Sequence, residues 1–258
     1  MTEKATRLYP LPPREIPAES IYEDLELPPA GRADSHRPYV IINMVSSVDG
    51  KTAIGGKAAR IGSQTDRRTM QNLRSHADAV MIGANTLRAE KLSLALDDPS
   101  DKPQPLAIIA TRTGDVPLES NLILGEEQEV LLLFPRELPG YPCGRARRLL
   151  ASEGPSGHVD LVEALEMLKA EYGVDVLLVE GGPTLNHALI SRGLADELFL
   201  TLAPKLLGSG ISESRTILDG GPLPQETSTP VLLSVHLVGD ELFLRYKVEG
   251  SGIMHNTT

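Results

Sequence analysis

At 258 residues, 41% of them apolar, the chain is long enough to bury a sizeable core as one large domain or two small ones. Its 25 Lys and Arg against 35 Asp and Glu leave a formal charge of −10, which disfavours nucleic acid or an anionic membrane as partner and favours a small molecule. A single cysteine, Cys143, excludes an intramolecular disulfide and a multi-cysteine zinc cage and fits a cytoplasmic setting, and no apolar stretch approaches the roughly 18 residues needed to span a bilayer.

The first residues, MTEKATRLYPLPPREIP, are broken by charge and proline and contain no apolar run of signal-peptide type, so the mature protein is expected to begin near residue 1. Residues 1–37 carry prolines 10, 12, 13, 17, 28 and 29 and no sustained period, which predicts an extended N-terminal arm rather than a domain. From residue 38 to 249 the texture is that of one α/β domain, followed by a polar tail at 250–258. YVIINMVSS from Tyr39 is β-branched and apolar, as for a strand buried on both faces. Further strands are expected at 79–82, 106–110, 130–134, 174–179 and 198–202, mostly with helical or loop segments between them.

Ser63 and Asp66 have capping-box spacing and predict a helix running to about Ser75. Asp160 and Glu163 repeat the pattern, with Leu161, Ala164, Leu165, Leu168 and Tyr172 on one stripe and Gly173 as the stop. Pro183 and Gly193 frame a third helix. VLLSVHLV and LFLRYKV flank Gly239-Asp240, which predicts an antiparallel hairpin and therefore a mixed sheet.

Several familiar motifs fail. Gly50-Lys51-Thr52 resembles the end of a phosphate-binding loop, but Val45 occupies the place of its first glycine. No G-x-G-x-x-G follows a strand, and G-x-S-x-G is absent. Cys143 lies in a Pro/Gly/Arg loop without a helper, and histidines 36, 76, 158, 187, 236 and 255 lack ligand spacing, so neither a thiol nucleophile nor a metal site is expected.

Four strand ends remain. Glu180-Gly181-Gly182-Pro183-Thr184 follows a buried strand and opens a helix. Its glycines let backbone approach a ligand, and the helix start offers unpaired N–H groups to a phosphate. This is the strand edge at which open α/β sheets bind ligands. Met44 to Lys51 ends the first strand with small polar residues and an Asp-Gly turn, and Ile82 to Glu90 again places glycine and small polar residues at a strand end. Thr111-Arg112-Thr113 sets a cation between two hydroxyls, a combination suited to a phosphate monoester, although a solvated loop arginine is the plainer reading.

In their order and spelling these segments resemble the reductase domain of riboflavin biosynthesis, the RibD C-terminal family. The resemblance covers about residues 37–248 and rests on RPYV, SSVDGKTA, NLRSHADAVMIGANTLRAE, QPLAIIATR, VLLVEGGPTLNHALISRGLADELFLTLAPKLLG and the closing LFLRY. It implies a dihydrofolate reductase-like three-layer α/β fold with a mixed central sheet, NADPH as cofactor and a homodimer. The implied activity is reduction of the ribosylamino group of a pyrimidine ribosyl 5′-phosphate to the ribitylamino form.

Carried over by position, Gly181, Gly182, Pro183, Thr184 and Leu185 would hold the diphosphate of NADPH. Thr86 and Glu90 would line the nicotinamide side, with Glu90 in place of the commoner Asp, Gly83 would also bind the cofactor, and Ser46 would belong to the first cofactor turn. Arg112 falls where the family meets the adenosine ribose and would favour the 2′-phosphate, and Thr111 beside it would also bind the cofactor. Arg74 matches an arginine that binds the substrate phosphate, and Glu180 a carboxylate facing the substrate ribose. Asp49 and Asn43 would be secondary polar groups of the catalytic set, Asn43 standing where bifunctional bacterial members carry a lysine.

The chain departs from the family at Glu90-Lys91-Leu92-Ser93-Leu94, where D-D-P-x-L is usual, and the deaminase domain of the bifunctional enzymes is expected to be missing, since some thirty proline-rich residues cannot replace it. Two rivals stay open on the sequence: a pterin or dihydrofolate reductase of the same fold, and a catalytically silent NADPH-binding protein.

Overall fold

The computed structural model describes residues 3–29, 35–54, 61–90, 92–98, 102–136, 143–154, 157–208, 215–224 and 229–248. The polar tail expected at 250–258 and Lys91 of the divergent stretch lie outside them. In chain order the elements are β1 (Lys4–Tyr9), β2 (Arg14–Pro17), β3 (Tyr39–Ser47), α1 (Gln64–Ser75), β4 (Ala79–Gly83), α2 (Ala84–Ala89), β5 (Leu106–Ala110) and α3 (Asn121–Leu124). They continue with β6 (Val130–Pro135), β7 (Arg147–Ala151), α4 (Leu161–Tyr172), β8 (Val176–Val179), α5 (Pro183–Ile190), β9 (Glu197–Ala203), β10 (Val231–Val238) and β11 (Glu241–Lys247). The chain divides into two compact units.

The first unit comprises residues 1–23, 40–69 and 183–258. Its strands run in the order β2-β1-β10-β11-β9-β3, antiparallel except for the β3–β9 pair, so its sheet is mixed. The hairpin of β10 and β11 turns at Gly239, whose φ of 58° needs a residue without Cβ. The N-terminal arm differs from its aperiodic sequence: β1 pairs with β10, and β2 with β1. Local patterning misses β1 because its partner lies more than two hundred residues away, with Thr6 opposite Leu237. Ile21 and Tyr22 follow into the core, where the Tyr22 ring meets Phe199 edge-on at 4.9 Å and His236 at 5.7 Å.

The second unit comprises residues 24–39 and 70–182. Its strands are parallel, in the order β8-β4-β5-β6-β7. Ala79–Ile82, Val130–Pro135 and Val176–Val179 are buried throughout, which is why they read as unbroken apolar runs rather than alternating ones. Helix α4 begins where expected: the Asp160 carboxylate accepts from Val162 N at 2.9 Å and Glu163 N at 3.4 Å, and Gly173 ends it at φ 66°. The edge strand β7 escapes sequence reading because its short, half-exposed RRLLA run has no clean period.

Candidate active site

In the second unit the carboxyl ends of β8 and β4 are joined through backbone. Glu180 N donates to Met81 O at 3.0 Å and Gly83 N to Gly181 O at 2.8 Å. Gly181 has φ 89° and the Gly181–Gly182 peptide is cis. A Cβ on Gly182 would lie 3.1 Å from Thr86 Oγ1, and one on Gly83 would lie 3.6 Å from Gly182 N. Glycine at 181 and 182 is therefore dictated twice, by a left-handed φ and by the approach of the α2 threonine. The spacing of Gly83, Thr86, Gly181 and Gly182 in the sequence thus becomes one physical cluster.

Immediately beyond Gly182 the chain enters α5 with Pro183 as its first residue, a position where the missing N–H costs nothing. The N–H groups of Thr184 and Leu185 fall in the first turn and have no intrahelical acceptor. A glycine turn lets backbone approach a ligand closely, and N–H groups without an intrahelical acceptor at the positive end of a helix suit a phosphate. The residues present fit a dinucleotide at this point.

Beside this turn Glu180, half-buried, receives a two-pronged ion pair from Arg74 in the last turn of α1: Nε to Oε1 at 2.7 Å and Nη2 to Oε2 at 2.8 Å. Arg74 Nη1 donates to Ala95 O at 2.9 Å, and the side chain is 4% exposed. Burial works against the Arg74 charge, but the Coulombic pull and hydrogen bonds of Glu180, with Asp97 beyond, outweigh it and raise its pKa.

Elsewhere in the unit, Thr111 is buried after β5, its N–H on Leu133 O at 2.9 Å and its hydroxyl accepting from Gly114 N at 3.2 Å. Arg112 is exposed, and Glu90 ends α2 with its N–H on Thr86 O at 3.0 Å. Neither the threonine nor the arginine belongs to the hydrogen-bonded cluster around Glu180.

In the first unit, Asn43 lies mid-strand in β3 opposite Phe199, and Ser46 is buried opposite Leu202. Asp49 ties the turn after β3 to the segment after β9. Its Oδ1 accepts from Ser47 Oγ at 2.6 Å and Leu207 N at 3.1 Å, and its Oδ2 from Gly208 N at 2.7 Å. The Ser47 hydroxyl first, then the Leu207 N–H, hold its carboxyl down at about 2. A further rung, Val48 N to Lys205 O at 2.9 Å, runs alongside.

Sequence reading did not find Ala95, Asp97, Ser47, Leu207 or Gly208 as parts of these networks. Only Ser47 carries a local signal, because a serine two residues before an aspartate builds a side-chain turn. The others act through backbone or field, which leaves no mark in a motif. Among the described residues no group of three or more His, Cys, Asp or Glu could hold a metal, and no helix is long and apolar enough to cross a membrane.

The RibD C-terminal domain model matches residues 38–241. A 2,5-diamino-6-ribosylamino-4(3H)-pyrimidinone 5′-phosphate reductase of Methanothermobacter thermautotrophicus is 28% identical over 219 residues, covering 83% of this chain and 100% of its own length. The Archaeoglobus fulgidus protein of the same name is 32% identical over 196 residues, 71% of this chain and 87% of that one. Among solved structures, Acinetobacter baumannii RibD superposes with a TM-score of 0.70 at 25% identity, covering 84% of this chain but 59% of that longer one. The Saccharomyces cerevisiae reductase Rib7, at 17% identity and a TM-score of 0.65, shares the fold. With a dihydrofolate reductase-like α/β fold and a family match over most of its length, the chain belongs to the RibD C-terminal domain family.

Proposed function

We propose that this protein is an oxidoreductase that uses NADPH to reduce the ribosylamino group of a pyrimidine ribosyl 5′-phosphate to the ribitylamino form, in riboflavin biosynthesis. The observation that carries the reading is the glycine turn after the carboxylate at the tip of β8, side-chain-free and packed on Thr86, with a helix opening at Pro183 directly after it in the chain. The names of the two archaeal relatives support the substrate class.

A bound nicotinamide supplies hydride. The chain's residues do the rest. Thr184 and Leu185 N–H groups hold the diphosphate, and Gly83, Thr86 and Glu90 line the nicotinamide side. Ser46 contributes to the cofactor turn, and Thr111 and exposed Arg112 meet the adenosine ribose, the arginine selecting the 2′-phosphate by charge. Glu180 hydrogen-bonds the opening ribose and stabilises positive charge developing at its anomeric carbon. Asn43 adds a polar contact. Asp49, occupied by three donors, acts by fixing its turn. The reading also carries a cytoplasmic homodimer that engages neither nucleic acid nor membrane, in keeping with the acidic charge.

The test is a spectrophotometric assay of NADPH oxidation with the deaminated and undeaminated ribosylaminopyrimidine phosphates and with dihydrofolate. Turnover on a pyrimidine and none on dihydrofolate is expected; turnover on dihydrofolate alone would overturn the substrate.

A further inference from the structure

The connection from β9 to β10 is described over residues 215–224, where it forms neither helix nor strand and is mostly exposed. A segment of that kind keeps its place only through the few bonds it makes. Those bonds run to two elements of the first unit that the reading above gives to the cofactor, the turn after β3 and helix α5.

At one end, Thr52 is buried directly after that turn and gives both its donors to the segment. Its N–H reaches Arg215 O at 3.1 Å and its hydroxyl the same oxygen at 3.2 Å. The turn itself is closed by Ser47 N on Lys51 O at 2.8 Å, so Thr52 holds the segment to a fixed point.

At the other end three bonds reach α5. Asn186 Nδ2 donates to Ile217 O at 3.1 Å and Asp219 N to Pro183 O at 3.2 Å. His187 Nε2, 3.1 Å from Gly221 O, is the donor of the third, because a carbonyl only accepts. Residues 183, 186 and 187 are three and four apart and share one face of the helix, so the segment lies along that face as a strap. Gly220 fits there for lack of a side chain: a Cβ on it would lie 2.3 Å from His187 Nδ1.

Asn186 is the member of this set that packing alone would not choose. It is fully buried, and its Oδ1 has no hydrogen-bond partner among the described residues. An unpaired buried acceptor works against stability, and leucine has the same branched shape without one. What the amide supplies is register, a directed bond that fixes which carbonyl of the strap meets which turn of α5. In a helix of eight residues, the direction of the Thr184 and Leu185 N–H groups follows how its start is held.

We infer that Asn186 is a positioning residue for the cofactor: by registering the 215–221 strap on α5, it sets the start of that helix against the turn after β3 without touching the dinucleotide. This rests on the reading that NADPH binds at α5.

The experiment measures the NADPH dissociation constant by fluorescence titration, with kcat on the ribosylaminopyrimidine phosphate alongside, in wild type, Asn186→Leu, Thr52→Val and the double variant. Positioning predicts that Asn186→Leu weakens NADPH binding about tenfold, roughly the worth of one hydrogen bond, while kcat at saturating NADPH stays within about twofold. Thr52→Val, which keeps the N–H tie and loses the hydroxyl one, should weaken it about threefold. Because both act through one strap, the double variant should bind no more weakly than Asn186→Leu. Wild-type affinity per folded molecule in Asn186→Leu, even with a lowered Tm, would overturn the proposal, and so would effects that multiply in the double variant. If Asn186→Leu fails to fold, His187→Phe takes its place, since it keeps a ring against Gly220 and loses the bond to Gly221 O; unchanged affinity in it or in Thr52→Val would overturn the proposal. The dissociation constant needs no substrate, so a wild type that binds NADPH but reduces no pyrimidine overturns the reductase reading alone, and one that binds no NADPH overturns the cofactor reading.

Discussion

Among the described residues, two bidentate Arg–Glu pairs each have at least one buried partner, and they do different things. In the first unit Arg245 of β11 grips Glu197 of β9 at 2.6 and 2.8 Å, between neighbouring antiparallel strands, with the guanidinium 5.4 Å from the centre of the Phe199 ring. In the second unit Arg74 grips Glu180 at 2.7 and 2.8 Å, but the carboxylate stands just past the end of a strand, where a glycine turn begins. The chemistry is the same and the location is not. A pair laid across a sheet ties strands together, whereas a pair at a carboxyl edge presents an oriented carboxylate to whatever binds there. Deep ion pairing alone therefore does not mark a site; its place relative to the strand tip does.

The comparison breaks if the two glutamates respond alike. Glu197→Gln should remove about 3–5 kcal/mol of stability by leaving Arg245 without its partner, with kcat per folded molecule unchanged; denaturant melts and activity normalised to folded protein check both halves. Glu180→Gln should lower kcat about 10²-fold while NADPH affinity, read by fluorescence titration, stays within about twofold.

The first unit should also carry an acid-sensitive term that rests on a histidine. His236 is buried beside Tyr22, and burial first, then the nearby Arg7 charge, depress its pKa from 6.5 to about 4. The unfolded chain then binds the proton more readily, so its contribution to stability is intact above pH 6.5 and lost as pH falls toward 4. Thermal melts across that window should show a loss that His236→Leu abolishes; an equally steep loss in the variant would clear His236 of the role. In the glycine turn, Gly182→Ala should raise KM for NADPH about tenfold, because its methyl group meets Thr86 Oγ1. Smallest of all, Arg112→Ala should raise KM for NADPH a few-fold, about threefold, and leave NADH untouched, as expected of an exposed charge. An unchanged ratio between the two cofactors would remove Arg112 from the 2′-phosphate.

Legibility followed the range of the interactions. Ser63 and Asp160 announce their helices because a cap acts within three residues, and Ser63 Oγ does accept from Asp66 N at 3.1 Å. Buried parallel strands announce themselves as apolar runs, and the Gly239 hairpin as two runs about a turn. The glycine turn was visible for the same local reason, since strand, glycines and helix are contiguous. What escaped is long-range. Arg74 and Glu180 are 106 residues apart, and β1 meets β10 across most of the chain. Asp49 reads as a secondary polar group, and nothing local announces Leu207 and Gly208, 158 and 159 residues on, as donors to it. No periodicity encodes such encounters.

A crystal structure of the protein with NADPH tests the central claim most directly. The account predicts the diphosphate against the Gly181–Gly182 peptide, hydrogen-bonded to Thr184 N and Leu185 N. A dinucleotide whose phosphates lie elsewhere, with those two N–H groups turned to water, would contradict it.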